Sequence, residues 1–233
     1  MTESLDESDR RSRLTYDYQT AMMMRPLMEA EAYRNLDDLL ARRNRIDSVA
    51  DAYLATHYRV LYRVRTLIGP ARYWDETTVR FDLFANNDYP MNEPASWVID
   101  GPMPWSPHFL EGREICIGPI WKRAQGRILL CELMIHVARL LNFDEPPYED
   151  PEYGGWQPDA VEYWETTLGR QPISKLVYPS VPRRVPPPAE PEPEQPTRAI
   201  VFRNTIEWSP PSIRIRPQAP AESASSLIKV RPQ

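Results

Sequence analysis

The chain has few of the residues that ordinarily announce a function. Its 233 residues include 2 cysteines, 3 histidines and 8 glycines. Two cysteines form no disulfide framework, so a reducing compartment, the cytoplasm, is the expected setting. Three histidines and two cysteines at these spacings match no zinc pattern, and no metal or cofactor is expected. No window is apolar over the length a bilayer requires, and the polar start "MTESLDESDRRSRL" has no signal-peptide core, so no membrane association is expected. A net charge of −5 argues against a nucleic-acid partner.

Proline, by contrast, is abundant, at 26 residues. Many fall in "PSVPRRVPPPAEPEPEQP", which has almost nothing to bury and reads as a stiff, solvated linker. The expected organisation is a disordered start (1–12), a folded domain (13–178), a Pro-rich linker (179–198) and an extended tail (199–233). Residues 183–233 carry 8 basic against 5 acidic side chains, opposite in sign to the acidic remainder. The tail repeats Ile-basic-apolar-Arg-Pro-Gln at Ile213–Gln218 and Ile228–Gln233. Such segments suit strand addition to a sheet edge, a docking role for a partner, or are a chance likeness in a disordered basic tail.

Within the domain, apolar spacing predicts two N-terminal helices, "RLTYDYQTAMMM" and a second that Pro26 starts and Leu27, Met28, Ala32, Leu36, Leu39 and Leu40 face. Period-two alternation then predicts strands over 58–68 and 77–84, with a turn at Gly69-Pro70, and a third over 95–99. In "ILLCELMIHVARLL" the polar residues Glu132, His136 and Arg139 form one narrow stripe, predicting a helix buried on most of its circumference. There Cys131 reads as core packing and His136 as an exposed, ion-paired histidine. A last helix starts at Pro158-Asp159. The order is an α+β layout, with helices beside a small antiparallel meander.

Cys116 has different surroundings. Pro102, Pro104, Pro107, Gly112, Gly118 and Pro119 exclude a continuous helix or central strand, and a cysteine on such a loop is more accessible than a core one. His108 lies on the same loop. Alone, that pair is compatible with a thiol hydrolase using histidine as base, although no Asn or Asp is evidently placed to orient the ring.

The order of features resembles the ubiquitin-conjugating enzymes, in particular their divergent prokaryotic relatives. The resemblance rests on Gly69-Pro70, Phe81-Asp82-Leu83-Phe84, Tyr89-Pro90 with Pro94, Pro107-His108, Gly112 to Ile115-Cys116, Trp121, the apolar helix 128–141, Glu149-Asp150-Pro151 and Pro158-Asp159-Ala160. It covers about residues 55–167. The family's His-Pro-Asn is absent, and Ser106-Pro107-His108 stands in its place. The resemblance implies a ubiquitin-conjugating-enzyme-like fold with N-terminal helices, β-meander, catalytic loop, buried central helix and C-terminal helix. It implies a carrier that accepts a ubiquitin-like protein as a thioester on Cys116 from an activating enzyme and passes it to an amine of a protein target. His108 would serve the oxyanion, by its side chain or by ordering the loop, and Asp150, with Glu149 as substitute, would orient the amine. A family variant that only binds a ubiquitin-like protein, and a Cys-His hydrolase, are the alternatives. Relatives of this kind often belong to compact prokaryotic modules, some linked to antiviral defence.

Overall fold

The computed structural model describes residues 7–84, 88–145 and 157–181, all within the unit Met1–Arg184. Asp150, Glu149, most of the Pro-rich segment and the repeated tail lie outside the described residues.

Helix α1 (Glu7–Ala21) begins inside the stretch expected to be disordered, so residues 7–12 are helical. The second expected helix is corrected more deeply. Met28–Tyr33 is strand β1, and only Leu36–Ala41 is helical, as the short α2. Two readings compete in "MEAEAY". Glu29 and Glu31 alternate with Met28, Ala30 and Ala32, a period of two that the helical spacing of the leucines obscured. Six backbone pairings to the neighbouring strand override the helix propensity of Met, Glu and Ala.

The other strands follow the alternation. After a 3-10 turn at Val49–Leu54 come β2 (His57–Tyr62), β3 (Thr66–Gly69), β4 (Arg72–Trp74), β5 (Thr77–Asp82) and β6 (Ala95–Asp100). Residues 58–68, expected as one strand, are two: the chain leaves β2 at Arg63, and β3 turns back through Gly69-Pro70 to pair with β4. Val60, Tyr62, Val64 and Thr66 are nevertheless all fully buried, because the alternation continues across the break.

The main sheet is antiparallel throughout, in the order β1-β2-β5-β6. Its register aligns Ala30, Val60, Val79 and Val98 in one row. The valines of that row are buried, while Arg59, Arg80 and Trp97 line the opposite face, where Arg80 lies 4.1 Å over the Trp97 ring. One face is therefore core and the other faces water.

The core face packs on α1 and on α4 (Leu130–Asn142), and the Tyr62 hydroxyl donates to the Met134 carbonyl at 3.0 Å. Eleven of the 13 residues of α4 are buried, which makes it the central helix of the unit. Its first turn is held by two carboxylates. Asp17 on α1 accepts from the Leu130 N–H and Glu132 from the Leu129 N–H, both at 2.9 Å. Asp17 is fully buried but well supplied with donors: Arg13 at 2.7 Å and the Tyr89 hydroxyl at 2.6 Å complete its shell. Burial pushes its carboxyl up, and these partners oppose that rise. Arg13 in turn donates to the Gly126 and Ile128 carbonyls, so one buried ion pair joins α1, the Tyr89 loop and the start of α4.

The helix α3 (Ile120–Ala124) carries Trp121, whose indole N–H donates to the Pro90 carbonyl at 3.1 Å. Gly126 approaches the same carbonyl so closely that an added Cβ would stand 2.4 Å from it. Helix α5 (Pro158–Thr166) starts at the proline, as expected, and places Trp164 in a second apolar cluster with Leu67 and Phe143. Beyond it the chain turns at Gly169 and Arg170 and continues without helix or strand, with Leu176, Tyr178 and Val181 packed against the main core. Among the described residues no helix is long and apolar enough to cross a membrane.

Candidate active site

The segment between β6 and α3 was expected as a proline-broken loop, yet it contains a hairpin. Phe109 and Ile115 face each other, the Leu110 N–H donates to Glu114 O at 2.9 Å, and the Cys116 N–H donates to His108 O at 2.8 Å. The turn closes through the Arg113 N–H to Leu110 O, with Arg113 in a left-handed conformation. The returning limb then joins the edge of β6. Val98 N–H donates to Arg113 O at 2.8 Å and Ile115 N–H to Ser96 O at 2.9 Å. Ladder hydrogen bonds of this kind satisfy the backbone polar groups of a segment that flanking prolines bar from helix. Cys116 is the residue at which the chain leaves this limb.

His108 and Cys116 are thus brought together across the hairpin through their backbones, and the His108 side chain does not line the groove onto which Cys116 opens. Their environments differ. The His108 side chain is buried, at 1% exposure, whereas Cys116 is half-buried. Through its carbonyl His108 fixes where the Cys116 backbone lies.

Cys116 opens onto a small groove that Glu93, Pro94, Glu114, Ile117, Gly118 and Lys122 also line. Burial pushes the thiol up, and the carboxylates of Glu93 and Glu114 push it further the same way. The Gly118 backbone N–H works against the rise. At neutral pH the group is therefore a thiol. Burial likewise pushes Glu93 up, with Lys122 opposing and Glu114 adding to it.

Behind the loop stands α4. His136 was expected at the surface, and that expectation is corrected: it is buried, and its Nε2 lies 3.1 Å from the Ile117 carbonyl. Of the polar stripe, Arg139 is exposed and Glu132 half-buried, and both flank a histidine roofed by the loop. The ion-pair part of the expectation is corrected too: His136 Nδ1 lies 3.9 Å from Glu145, but burial disfavours the protonated ring that an ion pair requires. Cys131 on the same helix is fully buried, as expected, and its thiol is pushed up to about 11. His57 pairs with Asp82 across β2 and β5 at 3.3 Å, away from this loop.

Glu93, Glu114, Gly118 and His136 were missed from sequence. Glu114 and Gly118 carried a weak signal, each lying two residues from Cys116. Glu93 and His136 carried none, since long-range packing alone brings them to the thiol. Among the described residues no group of three or more His, Cys, Asp or Glu could hold a metal ion. The sequence matches no protein-family model and no curated protein.

The arrangement is suited to reversible acylation at one sulfur. The thiol is reachable, a backbone N–H faces it, and the groove beside it carries acidic side chains that favour a cationic visitor.

Proposed function

We propose that this protein is a thioester carrier for a ubiquitin-like protein, built on the ubiquitin-conjugating-enzyme-like fold. The observation that carries the reading is the half-buried Cys116 at the end of a hairpin limb, on the edge of a four-stranded antiparallel meander backed by a buried helix. The packing of Tyr89-Pro90 against Trp121, with ring centroids of the two aromatics 5.6 Å apart, supports it further, because it gives a structural role to residues on which the resemblance rests.

The chemistry is two acyl transfers. In the first, the Cys116 sulfur attacks the thioester carbon of the modifier on an activating enzyme. A new C–S bond forms, the old one breaks, and the activating enzyme recovers its thiol, so ATP is spent only upstream. In the second, a target amine attacks the Cys116 thioester. A C–N bond forms, the C–S bond breaks with its electron pair on sulfur, and the proton lost by the amine ends on the Cys116 thiol. A thiol held above its ordinary value is a strong nucleophile once ionised. In this proposal His108 acts by ordering the loop through its carbonyl, and Asp150, or Glu149, orients the amine. The partners are a ubiquitin-like protein, an activating enzyme and an amine-bearing target. The setting is the cytoplasm of a prokaryote, in a conjugation module that can serve antiviral defence. The repeated tail is a docking element.

The raised thiol weighs against a Cys-His hydrolase, in which an imidazolium partner lowers the thiol. The test is incubation with ATP and the activating enzyme and ubiquitin-like protein encoded by neighbouring genes. An adduct that dithiothreitol removes and that Cys116→Ala fails to form supports the carrier. ATP-independent cleavage of preformed conjugates points to the hydrolase, and binding without an adduct points to a non-catalytic family variant.

A further inference from the structure

The Ile117–Gly118 peptide has one polar atom on each side of the cysteine loop. Its N–H acts on the Cys116 thiol, countering the rise that burial causes, and its carbonyl meets His136 at 3.1 Å. Because a trans peptide points N–H and C=O in opposite directions, holding one end aims the other. Gly118 has φ +64°, and glycine tolerates both signs of φ, so the chain itself does little to prevent this peptide from turning over. A flip would remove the N–H from the sulfur and present an oxygen instead.

We propose that His136 is a positioning residue for Cys116: by donating from Nε2 to the Ile117 carbonyl it fixes the Ile117–Gly118 peptide with its N–H toward the sulfur. The carbonyl accepts only, so the ring is the Nε2–H tautomer. Its helix is suited to the task, since α4 is buried along most of its length and anchored at its start by Asp17. The groups facing the ring keep it neutral on balance. Burial disfavours the imidazolium and Arg139 adds to that, while Glu145, itself paired to Arg139 at 3.1 Å, and the Ile117 carbonyl oppose it. Glu132 and Tyr178 line the groove on the outer side of the ring. In the second acyl transfer the electron pair of the broken C–S bond comes to rest on sulfur, where the aimed N–H stabilises it. A hydrogen bond at the carbonyl polarises the same peptide and strengthens that donation.

The inference rests on the proposed acyl carrier for its purpose, but its test does not. Cys116 of the full-length chain is alkylated with iodoacetamide from pH 6 to 10, and the modified peptide is quantified by mass spectrometry. In His136→Phe, which keeps a ring but removes the donor, alkylation at neutral pH should fall about tenfold, equivalent to a one-unit rise of the thiol. In His136→Gln, which keeps an N–H donor, it should stay within about twofold of the parent. Circular dichroism establishes that each variant is folded. A Phe variant whose profile superimposes on the parent, or a Gln variant that falls as far as Phe, overturns the proposal. A nitrogen NMR spectrum of the parent decides independently of any variant: Nε2–H at His136 is expected, and Nδ1–H overturns it. Should these hold while no modifier thioester forms, the failure belongs to the carrier reading alone.

Discussion

The two cysteines are both uncharged thiols beside or within α4, and differ in what surrounds the sulfur. Cys131 projects from the first turn of α4 into the packed core, with no exposed surface. Its thiol is pushed up to about 11, chiefly by burial, and nothing beyond the core can reach it. Cys116 sits one layer out, where a hairpin limb ends against the edge of β6. It keeps a groove on one side and gains a backbone N–H on the other. Burial alone makes a cysteine inert, whereas partial burial with a fixed donor makes one addressable. The same helix serves both: its interior packs Cys131, and its outer stripe, through His136, supports the loop of Cys116.

Four variants bear on this contrast, taken from the greatest expected effect. Cys116→Ala should abolish the modifier adduct while leaving thermal stability within about 0.5 kcal/mol of the parent, because the side chain is not part of the packed core. An adduct that persists would mean that Cys116 is as silent as Cys131. Asp17→Ala should destabilise the fold by about 3–5 kcal/mol in urea unfolding, since it leaves the half-buried Arg13 without its partner and removes a cap from α4. A loss below 1 kcal/mol would show that the start of α4 needs no such anchor.

Gly126→Ala should cost about 1–3 kcal/mol, because the new Cβ meets the Pro90 carbonyl and the residue is left-handed at φ +71°. Differential scanning calorimetry would read this as a lowered Tm, and an unchanged Tm would refute the close approach. Cys131→Ala should cost about 1 kcal/mol from the lost sulfur and its contacts, with adduct formation at the parent rate. A slowed adduct with an intact fold would break the division between a packing and a reacting cysteine.

The titration of Cys116 separates the sites by direction. Its folded value is raised above that of an ordinary thiol, so iodoacetamide should modify it more slowly at neutral pH than a free thiol. The rate should climb as pH passes that raised value. A profile already flat at pH 7 would indicate a thiolate stabilised by a cation, the signature of a Cys-His hydrolase.

How much of this was legible beforehand depended on the range of the interactions. Strands β5 and β6, helices α4 and α5, and the burial of Cys131 follow from local periodicity, and the structure shows each close to its expected bounds. Strand β1 was hidden because Met, Glu and Ala favour a helix locally, and only pairing with β2 decides otherwise. The hairpin at 108–116 was hidden for a related reason, as prolines mark its ends and its ladder is visible only in three dimensions. His136 was misread because a polar stripe on a helix ordinarily faces water, and the sequence does not say that a loop covers it. Cys116 was legible as a candidate from its proline- and glycine-rich setting, and Glu93 beside it was not.

The decisive measurement is the intact mass of the full-length chain after incubation with ATP, activating enzyme and ubiquitin-like protein, followed by peptide mapping without reductant. A gain equal to the modifier less one water, located on Cys116 and lost on adding thiol, is the predicted result. An unmodified chain under conditions that charge the activating enzyme, or a thiol-stable modification mapped elsewhere, would contradict it.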